Sequence, residues 1–366
     1  MSIRVLHVVD HLGYGGAPFV VKNLVERMPH DRVESLVCAL RPNPKPLPID
    51  ATVVTLESRK YSLTPVRLIA DLCRAERIDI VHAHLQKAFI CSLLARPRLA
   101  ARLILHEHGP IFREGTGCVY RWLLGRWGSR ADAIVANSRA AATAMKRTIG
   151  NVKAPITVVP NFIDLERFDP DRYDRDEARA SLGLAKDRFV VGFVGRLDRP
   201  KGADLLVEAA AKLSGRENRW CVCLVGDGPQ HGLLKERIRR LGLEGTVSLA
   251  GLRENSAVAL RAFDVTVVPS RREAFGIAAL ESMRMRTPVI VSPVGGLPEL
   301  VRDGVTGIVL PRLDAGSIAE AIRRLAGDEA LRTRLAAGAF EHAGKFDGGS
   351  QVNQVVEIYQ RLMRGT

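Results

Sequence analysis

Short β-branched runs recur from one end of the chain to the other, separated by roughly 10–15 residues whose apolar positions follow a helical period. Few architectures accept that alternation. Parallel strands need a crossover of a dozen or more residues, which a helix supplies, so the pattern implies parallel sheets covered by helices. In the first half strands are expected at Ile3–Val9, Val33–Leu40, Ala51–Leu56, Ile80–Ala83, Leu103–Leu105, Ala133–Ala136 and Ile156–Val159. Second-half strands are expected at Phe189–Val194, Cys221–Val225, Val247–Ala250, Val265–Val268, Val289–Val291 and Ile308–Leu310.

At 366 residues, with 46% of them apolar, the chain is long for one hydrophobic core and well supplied for two. The alternation lapses in DPDRYDRDEARASLGLAKD (169–187), which is rich in charge and poor in apolar periodicity. A domain boundary is therefore expected there, giving an N-terminal domain 1–168 and a C-terminal domain 169–349. The last segment, Ser350–Met363, has a serine suited to an N-cap and apolar Val352, Val355, Val356, Ile358, Tyr359 and Leu362. It reads as one helix crossing both domains, so that 350–366 packs back on the first. Ligands bind outside the carboxyl ends of parallel strands, so a cleft between two facing domains is the expected site.

The formal net charge is +14. Residues 1–170 carry 24 Lys+Arg against 15 Asp+Glu, so nine of the fourteen excess charges lie there. Such an excess favours an anionic partner. Ten cations fall between Arg96 and Arg147, interleaved with Phe112, Trp122 and Trp127. Cations beside aromatics suit an anionic membrane surface; an ordinary amphipathic helix with its aromatics turned to the core fits equally. The cations are dispersed and no nucleic-acid module is recognisable, which argues against nucleic acid. Six cysteines without C-x-x-C spacing lie mainly in apolar runs, as reduced core thiols do in a cytoplasmic protein. The chain opens on the strand IRVLHVVD and has no apolar stretch of the ~18 residues that span a bilayer, so a cytoplasmic protein, at most peripheral on a membrane, is expected.

The chemistry-bearing residues cluster where strands end. In RREAFGIAALESM (271–283), Glu273 precedes Gly276, which lets backbone approach a ligand, and a helix whose N-terminus favours phosphate. Glu281 lies roughly 7–8 Å along that helix. One carboxylate can meet sugar hydroxyls and the other a ribose diol, with a diphosphate between; two solvated helix charges would look the same. Gly195 and Arg196 follow the strand FVVGFV, and Lys201–Gly202 open the next helix, a combination that makes an anion pocket. Gly226-Asp227-Gly228-Pro229 reads as a tight turn capped by Asp227. Gly251, Pro269-Ser270 and Gly295-Gly296-Leu297-Pro298-Glu299 repeat the placement of special backbone residues at strand ends.

In the first half, Gly13-Tyr14-Gly15-Gly16-Ala17 lacks the third glycine of a dinucleotide fingerprint and reads as a loop open to phosphate or acceptor. His82-Ala83-His84 and His106-Glu107-His108-Gly109 also end strands. Alternate strand residues share a side and can share zinc, but no paired acidic metal motif accompanies them, so no metal is expected. His82 and His106 are taken as structural, and His108, beside Gly109, as the active-site histidine.

Taken together, GRLDRPKG (195–202), GDGP (226–229), PSRREAFGIAALESM (269–283), GGLPE (295–299) and DGVTG (303–307), with the GGA loop at Gly15, resemble the glycosyltransferases of family 4 over nearly the whole chain. The resemblance implies the GT-B fold: two Rossmann-like parallel-sheet domains facing across a cleft, the first for acceptor and the second for nucleotide sugar. It implies a retaining, metal-independent hexosyltransferase acting on a nucleotide-diphosphate sugar, UDP-linked before GDP-mannose, with a glycan or lipid-linked acceptor. Cell-surface polysaccharide or glycolipid biosynthesis is the implied setting, and no cofactor is implied. By the same resemblance Arg196 and Lys201 bind the diphosphate, Glu273 and His108 contact the transferred sugar, and Glu281 holds the ribose. Phe275, Gly276 and Ile277 line the donor site, with Gly195 and Gly16 near the diphosphate. Asn161-Phe162-Ile163-Asp164 departs from the family, which often has glycine after the asparagine. The rival classes are a nucleotide-sugar epimerase of the same architecture and a non-catalytic sugar-nucleotide-binding protein.

Overall fold

Two doubly wound parallel sheets organise the computed structural model, which describes residues 2–13, 15–59, 62–109, 117–213 and 220–365. The chain divides into two compact units, Met1–Phe162 with Gly348–Thr366, and Ile163–Asp347. In the first unit the strands are β1 (Ile3–Val9), β2 (Val33–Ala39), β3 (Thr52–Thr55), β4 (Ile80–His84), β5 (Arg102–Glu107), β6 (Ala133–Ala136) and β7 (Ile156–Val158). They lie in the order β3-β2-β1-β4-β5-β6-β7, with parallel pairing throughout. The connecting helices are α1 (Gly16–Glu26), α2 (Thr64–Ala75), α3 (Leu85–Ala95), α4 (Gly117–Trp127) and α5 (Arg139–Ile149).

Side chains alternate along a strand, so this sheet sorts its residues into two faces. Leu6, Val8, Val81, Ala83, Leu103 and Leu105 pack into the core that Ile69, Ala70 and Cys73 of α2 and Phe89 of α3 complete. The other face carries His7, His82, His84 and His106, because the register pairs His7 with His82 and His84 with His106. A hydrophobic strand grammar with histidine at alternate places thus makes a buried polar stripe.

The second unit begins with α6 (Arg175–Ser181) and continues through β8 (Phe189–Val194), α7 (Ala203–Leu213), β9 (Trp220–Val225), α8 (His231–Arg240) and β10 (Val247–Gly251). It proceeds through α9 (Ser256–Ala262), β11 (Val265–Val268), α10 (Ile277–Arg284), β12 (Val289–Val291), α11 (Leu297–Leu300), β13 (Ile308–Val309), α12 (Ala315–Gly327) and α13 (Glu329–Ala343). The strand order is β10-β9-β8-β11-β12-β13. In both sheets the order reverses beside the first strand, β1 or β8, which is the switch point where open α/β sheets bind ligands.

The expected boundary at 168/169 needs correcting. Ile163 and Phe168 are buried in the second unit's core beside Ala178, and the Ile163 N–H donates to Phe346 O at 3.1 Å. The division falls between Phe162 and Ile163, inside the departure from the family pattern. Nor is 169–187 a structureless joint. Asp174 caps α6 by accepting the Glu177 N–H at 2.8 Å, and Arg179, though charged, is buried. It donates to Asp264 at 2.7 Å and to Ala262 O at 3.1 Å, while Asp264 also accepts the Val190 N–H at 2.7 Å. A buried, hydrogen-bonded ion pair does here what an apolar stripe does in other helices.

The terminal helix α14 (Gly349–Arg364) is grouped with the first unit, as expected of 350–366, but Ser350 does not cap it. Gly348 holds that place with φ +95°, and its N–H donates to Gln351 Oε1 at 3.1 Å. Val352, Val355, Val356, Ile358 and Tyr359 are buried. On α4, Trp127 packs against the core but Trp122 is 65% exposed and Val119 60% exposed, so Trp122 does not turn inward. Five cysteines are buried and Cys118 is exposed. Among the described residues no helix is long and apolar enough to cross a membrane. Tyr14, Phe112 and Arg113 lie outside the described residues.

Candidate functional site

Three loops at the strand ends of the second unit hold the predicted anion site together. After β8, the Gly195 N–H donates to Val225 O at 3.0 Å and the Leu197 N–H to Asp227 O at 2.9 Å, joining the ends of β8 and β9. Asp227 accepts the Gly228 N–H at 2.7 Å, which is the turn-capping role expected for it. Asp198 then accepts the Lys201 N–H at 3.3 Å and lies 3.4 Å from Arg196 Nε. Gly202 adopts φ +75°, and a Cβ there would sit 1.9 Å from Pro269 O, so only glycine lets the Lys201 loop close on the loop after β11. Gly295 does the same from the other side: a Cβ would meet Glu273 O at 1.6 Å.

That packing brings the Lys201 ammonium to 2.6 Å from Glu273 Oε2, and Ser270 Oγ donates to the same oxygen at 3.2 Å. Ser270 is itself fixed, its carbonyl accepting from Ser292 Oγ at 2.6 Å. The loop carboxylate is therefore not a solvated charge. The Glu273 side chain is 11% exposed, against 36% for Lys201 and 56% for Arg196. Lys201 and Glu273 are in contact, and Arg196 is tied to them through Asp198. Ser270 was visible in the sequence only as part of Pro269-Ser270; no spacing signalled its bond to Glu273.

Phe275 and Gly276 are buried and Ile277 begins α10. Glu281, one turn along, has separate neighbours. Ser256 Oγ donates to Glu281 Oε2 at 3.4 Å, and burial pushes its carboxyl up to about 7 against the lowering effects of Arg167 and of that hydroxyl. Near pH 7 that raised value leaves the Glu281 carboxyl divided between its charged and neutral forms.

In the first unit Gly16 is exposed at the start of α1, with nothing within 4 Å of where a Cβ would stand. His108 is buried in a cluster of five histidines. His7 Nδ1 lies 3.1 Å from His84 Nε2, and His84 Nδ1 lies 2.9 Å from His108 Nε2. His82 bonds Tyr359 OH at 2.6 Å and His106 Nδ1 at 3.1 Å, so its structural reading fits both nitrogens. For His106 it fits one, since Nε2 has no partner among the described residues. His7 was missed because one histidine inside an apolar strand carries no motif. Glu107 was passed over too: wholly buried, it accepts the Gly109 N–H at 2.8 Å, and burial pushes it up to about 8.

Ring nitrogens of His7, His82 and His84, and of His84, His106 and His108, come within 4.8 Å of one another. Burial lowers His7 to about 3 and His108 to about 4, so the rings are neutral, the form that binds metal and equally the form that makes N–H···N bonds. Those bonds already occupy the nitrogens that face each other.

Two family models match the chain: Glycosyltransferase Family 4 over residues 14–167 and Glycosyl transferases group 1 over residues 174–342. A D-inositol 3-phosphate glycosyltransferase of Catenulispora acidiphila is 37% identical over 247 residues, 64% of this chain and 58% of that protein. The chain thus spans under two thirds of that relative. One from Nocardioides sp. is 32% identical over 338 residues, covering 82% of this chain and 73% of the relative. The crystal structure of Anabaena HepE in complex with UDP and glucose superposes with a TM-score of 0.83 at 25% identity, covering 98% of this chain and 99% of that one.

Glu281 yields a prediction with a definite sign. Its folded value near 7 exceeds that of an unfolded glutamate, near 4.5, so the folded state binds the proton more tightly and loses stability as pH rises from about 4.5 through about 7. Glu281→Gln cannot titrate. In urea unfolding it should exceed wild type by roughly 1–3 kcal/mol at pH 8, with the gap shrinking toward pH 4.5. An equal gap at both pH values would mean that Glu281 is an ordinary solvated carboxylate.

Proposed function

The chain belongs to the family 4 glycosyltransferases, of GT-B fold, and from that membership we propose that it transfers a hexosyl unit, with retention, from a nucleotide-diphosphate sugar to a hydroxyl of a glycan or lipid-linked acceptor. The observation that carries the proposal is the contact of Lys201 with Glu273, with Arg196 joined to the Lys201 loop through Asp198 and Glu281 carried on α10. A donor of this class has matching parts: an anionic diphosphate for the cations, sugar hydroxyls for Glu273, and a ribose diol for Glu281. UDP is the favoured nucleotide, supported by the complex of HepE with UDP and glucose, and GDP-mannose comes next. The relatives named for D-inositol 3-phosphate support a hydroxyl acceptor that itself carries an anionic group.

The chemistry follows from where charge develops. Breaking the bond between sugar and diphosphate leaves an oxocarbenium-like sugar and gathers negative charge on the departing phosphate. Arg196 and Lys201 would hold that charge in fixed positions, which is usually the largest contribution to lowering such a barrier. In this reading they act in place of a metal ion, and none is required. Lys201 exchanges one anion for another when the diphosphate arrives, releasing Glu273 toward the sugar. Retention would come from attack on the face the phosphate leaves, the phosphate taking the acceptor's proton, with no protein nucleophile. In an epimerase or an idle binding protein no acceptor would be consumed.

The setting proposed is the cytoplasmic face of a membrane, in the synthesis of surface polysaccharide or glycolipid. What supports it is α4, whose exposed residues include Val119 and Trp122 together with Arg121 and Arg126. An aromatic ring and guanidinium groups on one exposed helix suit the headgroup layer of an anionic bilayer.

Two outcomes test the proposal. Arg196→Ala should leave the fold intact and lower turnover of the nucleotide sugar by about 100-fold or more, the scale of losing one preorganised charge stabiliser; near wild-type transfer by the folded variant would remove Arg196 from the reaction. Trp122→Ser should weaken sedimentation with phosphatidylglycerol-containing vesicles several-fold while leaving transfer to a water-soluble acceptor unchanged. Equal binding of wild type to neutral and anionic vesicles would rule out the membrane role.

A further inference from the structure

The five buried histidines of the first unit divide into two kinds once the bonds on their outer nitrogens are followed. His84 pairs with His106 across β4 and β5, and His108 stands two residues beyond His106, so an alternating pair at the end of one strand meets a histidine at the end of its neighbour. One ring nitrogen from each of these three comes within 4.8 Å of the other two. His84 Nδ1 and His108 Nε2 are 2.9 Å apart. Around a tetrahedral zinc ion with Zn–N bonds of ~2.0–2.1 Å the nitrogens are about 3.3 Å apart, so that pair opens by a few tenths of an ångström and the third nitrogen closes by at most about 1.5 Å.

A histidine that binds metal through one nitrogen gives the N–H of the other to a fixed acceptor. Each of the three has such a partner. His84 Nε2 lies 3.1 Å from His7 Nδ1. His106 Nδ1 lies 3.1 Å from His82 Nε2, and His82 Nδ1 lies 2.6 Å from Tyr359 OH. The His108 ring has Asn161 as a side-chain hydrogen-bond partner. With Nδ1 committed to His82, the other nitrogen of His106 is left buried with no hydrogen-bond partner among the described residues, a lone pair put to no use by the protein itself. Each neutral ring carries one N–H, and placing it on the outer nitrogen turns three lone pairs inward with no net loss of a proton. An ion then stands where His84 and His108 otherwise share a proton.

We propose that His84, His106 and His108 bind one transition-metal ion of the zinc class, with water as the fourth ligand, and that His7, His82 and Tyr359 orient the ligands. The strands and α14 all belong to the first unit, so the site is complete within it. Three imidazoles suit zinc, nickel or copper and are poor ligands for magnesium or calcium, which take oxygen. The ligands are 0%, 3% and 8% exposed in the order His84, His106, His108, so the ion is enclosed and enters past His108. Its role is to brace the ends of β4 and β5. It takes no part in the transfer proposed for Arg196 and Lys201, and it assigns His108 Nε2 to the ion rather than to a sugar.

The test strips the full chain with a chelator and reloads it with zinc or cobalt(II). One equivalent should bind and raise the melting temperature, cobalt should give the intense visible bands of a tetrahedral site, and X-ray absorption on the zinc form should show nitrogen neighbours at ~2.0–2.1 Å. His108→Gln should weaken zinc binding by more than about 100-fold, while His7→Phe, which removes no ligand, should weaken it by about 10–100-fold, the usual cost of an outer partner. If His7→Phe does not fold, wild type and His108→Gln still decide. Stripping should leave any nucleotide response of the second unit unchanged, so this proposal and the transfer reading fail independently. Less than one equivalent of metal on wild type in excess zinc would overturn the site, as would zinc held equally well by His108→Gln or a cobalt spectrum of octahedral, oxygen-only coordination.

Discussion

Everything proposed for the second unit depends on one ion pair, Lys201 with Glu273 at 2.6 Å, being held before any ligand arrives. A lysine left alone at the start of a helix is disfavoured by the helix dipole, and a carboxylate left alone at 11% exposure loses much of its solvation. Each relieves the other. Their meeting is enforced by backbone, because Gly202 and Gly295 let two flanking loops press against Pro269 and Glu273 where a side chain would not fit. A pair stabilised in this way is preorganised, and a diphosphate can take the cation over without rebuilding the loop.

The first unit solves a different problem with the same kind of sheet. Its apolar face is an ordinary core, while its other face carries histidines that burial keeps neutral, with His7 held down to about 3. Neutral imidazoles offer one donor and one acceptor each, so a row of them can bond to one another inside a protein where charged groups would repel. Tyr359 of the terminal helix closes one end of the row through His82, which also ties α14 to strands far from it in sequence.

Much of the fold was readable because most of its strands are buried on both faces and spelled in Val, Ile and Leu; β11, with all four residues buried, is found at the residues expected. Where periodicity failed, the physics had changed sign. α6 reads as a charged linker since its anchoring group is Arg179, buried through Asp264, which lies 85 positions away. The expected Ser350 cap gave way to Gly348, whose backbone uses Gln351 instead. At the site, the strand-end motifs named Arg196, Lys201, Glu273 and Glu281, but no local spacing could show that Lys201 and Glu273 touch or that Ser256 meets Glu281. Likewise four histidines stood out in pairs, whereas His7 became visible only through the register that sets β1 against β4.

If the second unit binds a nucleotide diphosphate through Arg196 and Lys201, a thermal-shift comparison of UDP, GDP and their sugars will show it. One nucleotide, with or without its sugar, should stabilise the protein by about 2.7 kcal/mol at 100 times its dissociation constant. Lys201→Ala should lose most of that shift. Melting that responds to no nucleotide, or a shift of equal size in wild type and Lys201→Ala, would contradict it.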